Sequence, residues 1–209
     1  MIRCGLAVSL LLLQLGAAFA AEPELAPSDP PESLAPAAPA APEPRDRAVQ
    51  GQALDELLVQ LAKADEPRTA KRIAAAVQAL WRRSGSDTID LLLTRSTQAQ
   101  RQSKLDVAIK LMDEVVSLKP DFAEGWNRRA TLHFMAKDYD AAMLDIRQTL
   151  AREPRHFGAW LGLGRILEDS DLDAKALAAY RHVLAIYPQI EGLKKRVDDL
   201  SLKVEGQPI

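Results

Sequence analysis

Apolar side chains recur along the C-terminal half of the chain in a pattern typical of paired helices. Within each stretch they fall three or four positions apart, which places them on one face of an α-helix. The whole pattern repeats at a fixed interval: Ala108 recurs as Ala142 and Ala176, and Trp126 recurs as Trp160. A constant period of roughly 34 residues indicates a helix–turn–helix array. The sequence therefore predicts an all-α solenoid.

Three helical pairs are predicted, and each ends at a proline. Pro120, Pro154 and Pro188 keep the same interval as the alanines, and proline stops a helix because it lacks the backbone N–H. The predicted helices are 89–102 and 105–118, 123–136 and 139–152, and 157–169 and 173–186. The three units therefore span 89–122, 123–156 and 157–190.

Both ends of this array carry further helical patterns. In residues 51–88, Ala74 keeps the frame of Ala108, which predicts a degenerate N-terminal repeat in which folded residues begin near Gln52. Residues 191–209 place Leu193, Val197 and Leu200 at helical spacing, which predicts a capping helix and tail. Terminal units of a repeat array are commonly atypical because one of their faces meets solvent.

The repeating pattern resembles that of the tetratricopeptide repeat (TPR) family. The third unit matches best, the middle unit has Arg129 and His133 at two apolar places, and the first unit is divergent. The resemblance implies a superhelix that binds proteins in a groove lined by the first helix of each unit. The matching residues of the third unit are Trp160, Leu163, Gly164, Leu167, Ala176, Tyr180 and Pro188.

Residues 1–20 have the pattern of a secretory signal peptide. Arg3 precedes an apolar run, and Ala18-Phe19-Ala20 is a suitable cleavage site. The alternative is a retained membrane anchor, although the apolar run is shorter than the roughly 20 residues that a spanning helix needs. We expect export to the periplasm of a Gram-negative bacterium, with no membrane span after cleavage. Because Cys4 is the sole cysteine, the mature chain would contain no thiol.

Residues 21–50 are predicted to form a disordered linker rich in proline and alanine. Eight of the 13 prolines lie between Pro23 and Pro44, and the segment carries a net charge of −4. Such a composition cannot pack a core. Its role is open between a solvated leader, a spacer and a proline-rich ligand.

The resemblance also implies which residues face a partner. They are the positions that flank the packing residues on the first helix of each unit, and they mix apolar, polar and charged side chains, which suits an extended peptide or an amphipathic helix. Asn127 and Thr131 replace the lysine and asparagine of the carboxylate clamp of some TPR domains, so that activity is not expected. The candidate groove residues are Leu93, Thr97, Arg101, Glu124, Asn127, Thr131, Phe134, Gly158, Leu161, Arg165 and Glu168.

Two departures from the pattern mark further candidate positions. Arg129 stands at a core place, so it must reach solvent past its neighbours or find an acid; alternatively it belongs to a cationic site for a partner's carboxylate or phosphate, together with Arg128, His133, Arg155 and His156. Gly158 and Gly162 cost about 1 kcal/mol each in a helix relative to alanine. We interpret them as leaving room for a ligand backbone or a neighbouring helix.

Catalytic, metal and nucleic-acid sites find little support in the sequence. The three histidines form no metal-binding pair, and no strand precedes Gly162-Leu163-Gly164 to make a phosphate loop. The run 169–173 has alternate carboxylates but lacks the glycine and glutamate of a calcium loop, so an inter-helix turn with Asp173 as cap is expected. Residues 51–209 hold 24 Lys and Arg and 23 Asp and Glu, which does not favour nucleic acid.

The sequence therefore predicts a non-catalytic, cofactor-free protein-interaction scaffold of the cell envelope. The alternative is a structural envelope component whose array self-associates, which would make it a homo-oligomer. An enzyme is a distant third reading. The partner itself is predicted only as a protein or peptide.

Overall fold

The computed structural model describes residues 44–206, which form nine α-helices. The helices of the three units begin and end close to their predicted bounds, and the all-α repeat fold is confirmed. The predicted signal peptide and residues 21–43 of the predicted linker lie outside the described residues. The helices are α1 Pro44–Ala62, α2 Pro67–Trp81, α3 Asp87–Arg101, α4 Leu105–Leu118, α5 Ala123–Met135, α6 Tyr139–Arg152, α7 Phe157–Asp169, α8 Asp173–Ile186 and α9 Leu193–Glu205.

The helical part begins earlier than the sequence suggests. α1 starts at Pro44, so the prediction of a disordered linker is wrong for its last part, 44–50. Proline is tolerated in the first turn of a helix, and no further proline follows until Pro67. The Gln50 side-chain amide also donates to the Leu80 carbonyl at 3.1 Å, which ties α1 to α2.

Each repeat unit is a pair of helices in close contact. Ala108, Ala142 and Ala176 are fully buried where the second helix of each pair meets the first, and their small side chains permit this approach. The tryptophans link successive units, since Trp126 donates to the Pro120 carbonyl at 2.9 Å and Trp160 makes the equivalent bond at 2.8 Å. Tryptophan and proline thus recur together because one side chain bonds the backbone of the other.

The turn inside each pair uses the same backbone conformation. Ser103, Lys137 and Asp171 have φ values of 59°, 62° and 59°, and they occupy equivalent places in the three units. The third turn differs in detail from the prediction, since Asp173 is the first residue of α8 and makes no capping bond. Its carboxylate instead pairs with Lys203 of α9.

The N-terminal hairpin α1–α2 packs against the third unit. Its buried residues, such as Leu61 and Val77, belong to one core cluster with Tyr180 and Val183, whereas the first unit has a cluster of its own. Trp81 at the end of α2 stacks on a residue that precedes α7, His156, with ring centroids 4.1 Å apart. The frame projected backwards places this hairpin beside the first unit. The structure places its core contacts on the third unit instead.

The position of the hairpin is explained by apolar side chains of the third unit that its own helices leave uncovered. The Trp81 ring also lies 5.0 Å from the Phe157 ring, which in turn meets Tyr187 edge-on at 5.6 Å. Arg155 pairs with Asp55 of α1 at 2.7 Å, but exposed ion pairs contribute little. The buried aromatic contacts therefore hold the hairpin in place.

Two glycines of α7 should respond oppositely to the same substitution. A Cβ at Gly164 would overlap the ring of buried Tyr180, so Gly164→Ala should lower the free energy of unfolding by about 1–3 kcal/mol. A Cβ at Gly162 would meet only Ile146 Cδ1 at 3.6 Å, so Gly162→Ala should raise it by up to about 1 kcal/mol. Urea unfolding measures both, and equal shifts of one sign would contradict the packing described.

Docking of the hairpin on the third unit predicts energetic coupling between Trp81 and Phe157. In a double-mutant cycle, Trp81→Leu and Phe157→Leu should couple by about 0.5–1.5 kcal/mol, because the two rings are in contact. Trp81→Leu combined with Met112→Ala, whose side chain lies in the cluster of the first unit, should be additive. Additivity of Trp81→Leu with Phe157→Leu, together with coupling of Trp81→Leu to Met112→Ala, would instead indicate that the hairpin packs on the first unit.

Candidate functional site

A small cleft lies between the first helices of the second and third units, α5 and α7. We call it the central cleft; its volume is about 110 Å³. Six of the predicted groove residues line it, from both helices, together with apolar side chains such as Ile146 and Ile166. The six are Asn127, Thr131 and Phe134 of α5 and Gly158, Leu161 and Arg165 of α7.

Glycines shape the α7 side of the central cleft. At Gly162 the space beyond the backbone opens towards Ile146. Gly158 differs, because a Cβ there would lie 3.3 Å from the His156 ring. Gly162 therefore leaves room that a ligand could fill, whereas Gly158 accommodates a side chain of the protein itself.

Other predicted groove residues lie outside the central cleft. Leu93 is 7% exposed and belongs to the core of the first unit, so the prediction that it faces a partner is corrected. Thr97 donates to the Leu93 carbonyl at 2.8 Å, and Arg101 is exposed at the end of α3. Glu168 accepts hydrogen bonds from Tyr180 and Arg196, at 2.9 and 3.0 Å.

Arg129 is held by two aspartates. It makes a two-pronged pair with buried Asp145, with distances of 2.8 and 2.7 Å, and a third bond of 2.8 Å to Asp113. Its guanidinium carbon also lies 5.0 Å from the centre of the Trp126 ring. The hydrogen bonds to Asp145 raise the pKa of Arg129 above its usual value. The unexpected arginine thus takes the second of its predicted options, since it finds an acid.

The remaining members of the predicted cationic site also have internal partners. Arg128 pairs with Glu124 at 3.0 Å, and Arg155 pairs with Glu153 as well as Asp55. His133 lies 3.8 Å from both Asp138 and Asp145. His156 is buried and contacts Glu124. The prediction of a cationic site for a partner is corrected accordingly, because these side chains are already paired with acidic residues of the chain itself.

Glu124 and His156 join α5 to the start of α7. The His156 Nδ1 accepts the backbone N–H of Ala159 at 3.1 Å and so caps α7. Its Nε2 therefore carries the hydrogen, which it donates to Glu124 at 3.2 Å. Burial alone would raise the pKa of Glu124, but His156 and Arg128 outweigh it, and the pKa lies below its usual value. This carboxylate is a structural link between units, although it was predicted to face a partner.

The sequence pattern gives no warning of the contacts made by Trp81. Its ring is buried against His156, and its Nε1 has no hydrogen-bond partner among the described residues. Trp81 falls on the apolar stripe of α2, which predicts burial but not against which unit. A contact between two positions so distant along the chain leaves no mark in the local spacing.

Within residues 44–206, no three potential ligands among His, Cys, Asp and Glu gather closely enough to hold a metal ion. Asp169 of the acidic run accepts a hydrogen bond from Tyr139 at 3.0 Å, and Asp173 pairs with Lys203. In the same part of the chain, no helix has the length and apolar content that crossing a membrane requires.

Comparison with known proteins agrees with this architecture. The family model described as tetratricopeptide repeat matches residues 93–146 and 144–189. A TPR repeat-containing protein of Rhizobium etli is 41% identical over 155 residues, which cover 74% of this chain and 76% of that protein.

Solved structures share the fold at low sequence identity. The first TPR of Spaghetti (RPAP3), bound to an HSP90 peptide, has a TM-score of 0.53 and 19% identity, and covers 56% of this chain and 94% of that one. The MamA protein has a TM-score of 0.52 and 17% identity, and covers 77% of this chain and 85% of that one.

The Glu124 link should make stability depend on pH. Because its pKa is lowered on folding, Glu124 stabilises the fold above the ordinary pKa of about 4.3, and this contribution is lost as the pH falls through the lowered value. Glu124→Gln should therefore cost roughly 1–3 kcal/mol at neutral pH and much less near pH 3. Urea unfolding at the two pH values tests this. The exposed Glu114→Gln is the control and should change little at either pH.

Proposed function

The chain belongs to the tetratricopeptide repeat family, and we propose that it is a non-catalytic interaction module that binds an extended peptide or a helix of a protein partner in the central cleft. The observation that carries the proposal is the convergence of α5 and α7 on this cleft. It presents apolar surface from Phe134 and Leu161 beside the polar groups of Asn127, Thr131 and Arg165. Such a mixture suits a peptide that inserts one apolar side chain and bonds through its backbone.

The room beside Gly162 supports this assignment. A helix interior gains about 1 kcal/mol from alanine in place of glycine, and an alanine here would meet no close neighbour. Packing therefore does not require this glycine, in contrast to Gly164 in the same helix. A bound chain that approaches α7 closely would explain why glycine stands at this position.

The proposal places the protein outside the cytoplasm. It rests on the basic, apolar and small-residue order of residues 1–20, which is that of a secretory signal. In the envelope, an array of this kind would present its cleft to periplasmic proteins. Amino-terminal sequencing of the protein from a periplasmic fraction would test both cleavage and location.

Filling the central cleft should abolish partner binding while the fold survives. Gly162→Met extends a side chain into the cleft, whereas Gly162→Ala leaves most of it open, so the two variants form a matched pair. A photo-crosslinker at exposed Thr131 should trap a partner in native cells. The yield of that crosslinked product should be at least about tenfold lower in the Gly162→Met variant than in the Gly162→Ala variant.

A crosslinker at Arg147, which is exposed on α6 and does not line the cleft, serves as the control position. Equal products from Thr131 and Arg147 would contradict the proposal. A product that contains only a second copy of the chain would favour self-association instead. Thermal melting of each variant separates a blocked cleft from a lost fold.

A further inference from the structure

A second and larger cleft lies beside the central cleft, where the N-terminal hairpin meets the third unit. Its volume is about 960 Å³, and we call it the basic cleft. The start of α2, the middle of α7, the α8–α9 turn and the start of α9 form its walls. Its charged side chains are Arg68, Lys71, Arg165, Glu191, Lys194 and Arg196.

Five of these six charges are positive. Among the side chains of residues 48–206, Arg196 pairs with Glu168 at 2.6 Å, but Arg68, Lys71, Arg165 and Lys194 have no such acid. Four uncompensated cations around one concave space attract anions more strongly than scattered surface charges do. Residues 51–209 carry a net charge of only +1, so this concentration is local.

The floor of the basic cleft is apolar. Leu161, Tyr187 and Ile190 line it, and Tyr187 is 8% exposed. Burial is the main cause that raises the pKa of the Tyr187 hydroxyl, so this group stays neutral at physiological pH. An occupant must therefore combine negative charge with apolar side chains, as a peptide does.

The two clefts adjoin each other on α7. Leu161 and Arg165, one helical turn apart, line both of them. A chain bound along α7 in the central cleft would therefore contact residues of the basic cleft. The N-terminal hairpin supplies one wall, so this site lies partly outside the repeat units.

We propose that the basic cleft binds an acidic segment of a protein partner, and that this segment adjoins the one bound in the central cleft. The second part of the proposal, that the two bound segments adjoin each other, rests on the proposed function. The affinity for an acidic peptide rests only on the properties of the basic cleft. Tyr180 and Tyr187, which line the cleft, are both buried, so no lining residue offers an exposed aromatic ring on which a base could stack. A nucleic acid is therefore disfavoured as the occupant.

The test measures binding of a fluorescent decapeptide with eight glutamates around two central leucines to the purified protein at low salt. Arg68→Glu with Lys71→Glu should weaken binding by at least about tenfold, since it replaces two attractions by two repulsions. Arg147→Glu with Lys175→Glu makes the same change of net charge at exposed positions outside both clefts, and should alter affinity less than about twofold. Glutamate near the start of α2 favours its helix, so the fold should survive.

Equal losses in the two double variants would overturn the proposal, because net charge alone would then explain binding. Equal affinity for a ten-nucleotide oligothymidine would overturn the choice of a peptide. A carboxyl-to-amine crosslink from Lys71 or Lys194 to the chain's own residues 22–43, which carry five acids and no cation, would show the cleft filled from within and would also overturn it. Gly162→Met should leave the decapeptide's affinity unchanged, so failure here is distinguishable from failure of the central cleft.

Discussion

The close approach of two helices at a single small residue is the constraint on which this structure depends. Ala108, Ala142 and Ala176 are each completely buried, and a larger side chain at any of them would force its pair apart. Once the pairs close in the same way, the tryptophan of one unit reaches the proline carbonyl of the unit before it. Regular stacking follows from these two contacts, and so does a row of first helices that share one side of the array.

A regular array leaves apolar surface at its ends, and this chain treats its two ends differently. α9 packs on α8 and continues the pattern of the units. The N-terminal hairpin buries its own stripe against Phe157 and Tyr187, so it enlarges the core of the third unit. The first unit meanwhile keeps Leu91 and Val107 exposed, at 50% and 41%. The hairpin therefore acts as a wall beside the third unit more than as a cap for the first.

Local spacing predicts what local contacts determine. The helices of the three units depend on neighbours one helical turn or one repeat away, so their bounds can be read from residues such as Trp160, Ala176 and Pro188. The six residues of the central cleft are found in the same way, by their place in the repeat. The partners of Arg129 and the stacking of Trp81 on His156 could not be found, because each depends on which distant side chain reaches the same space.

The charges show the same difference: the net charge can be counted from the sequence, but the fold decides which charges lie close together. The cationic side chains that stand out in sequence, Arg129 and His156 among them, are paired with acids of the chain itself. Those that look like ordinary surface charges, Arg68 and Lys194, come together because the hairpin folds back onto the third unit. A near-zero net charge is therefore compatible with one strongly basic cleft. That cleft depends on the hairpin's position, so any partner that recognises it also recognises the hairpin in its docked state.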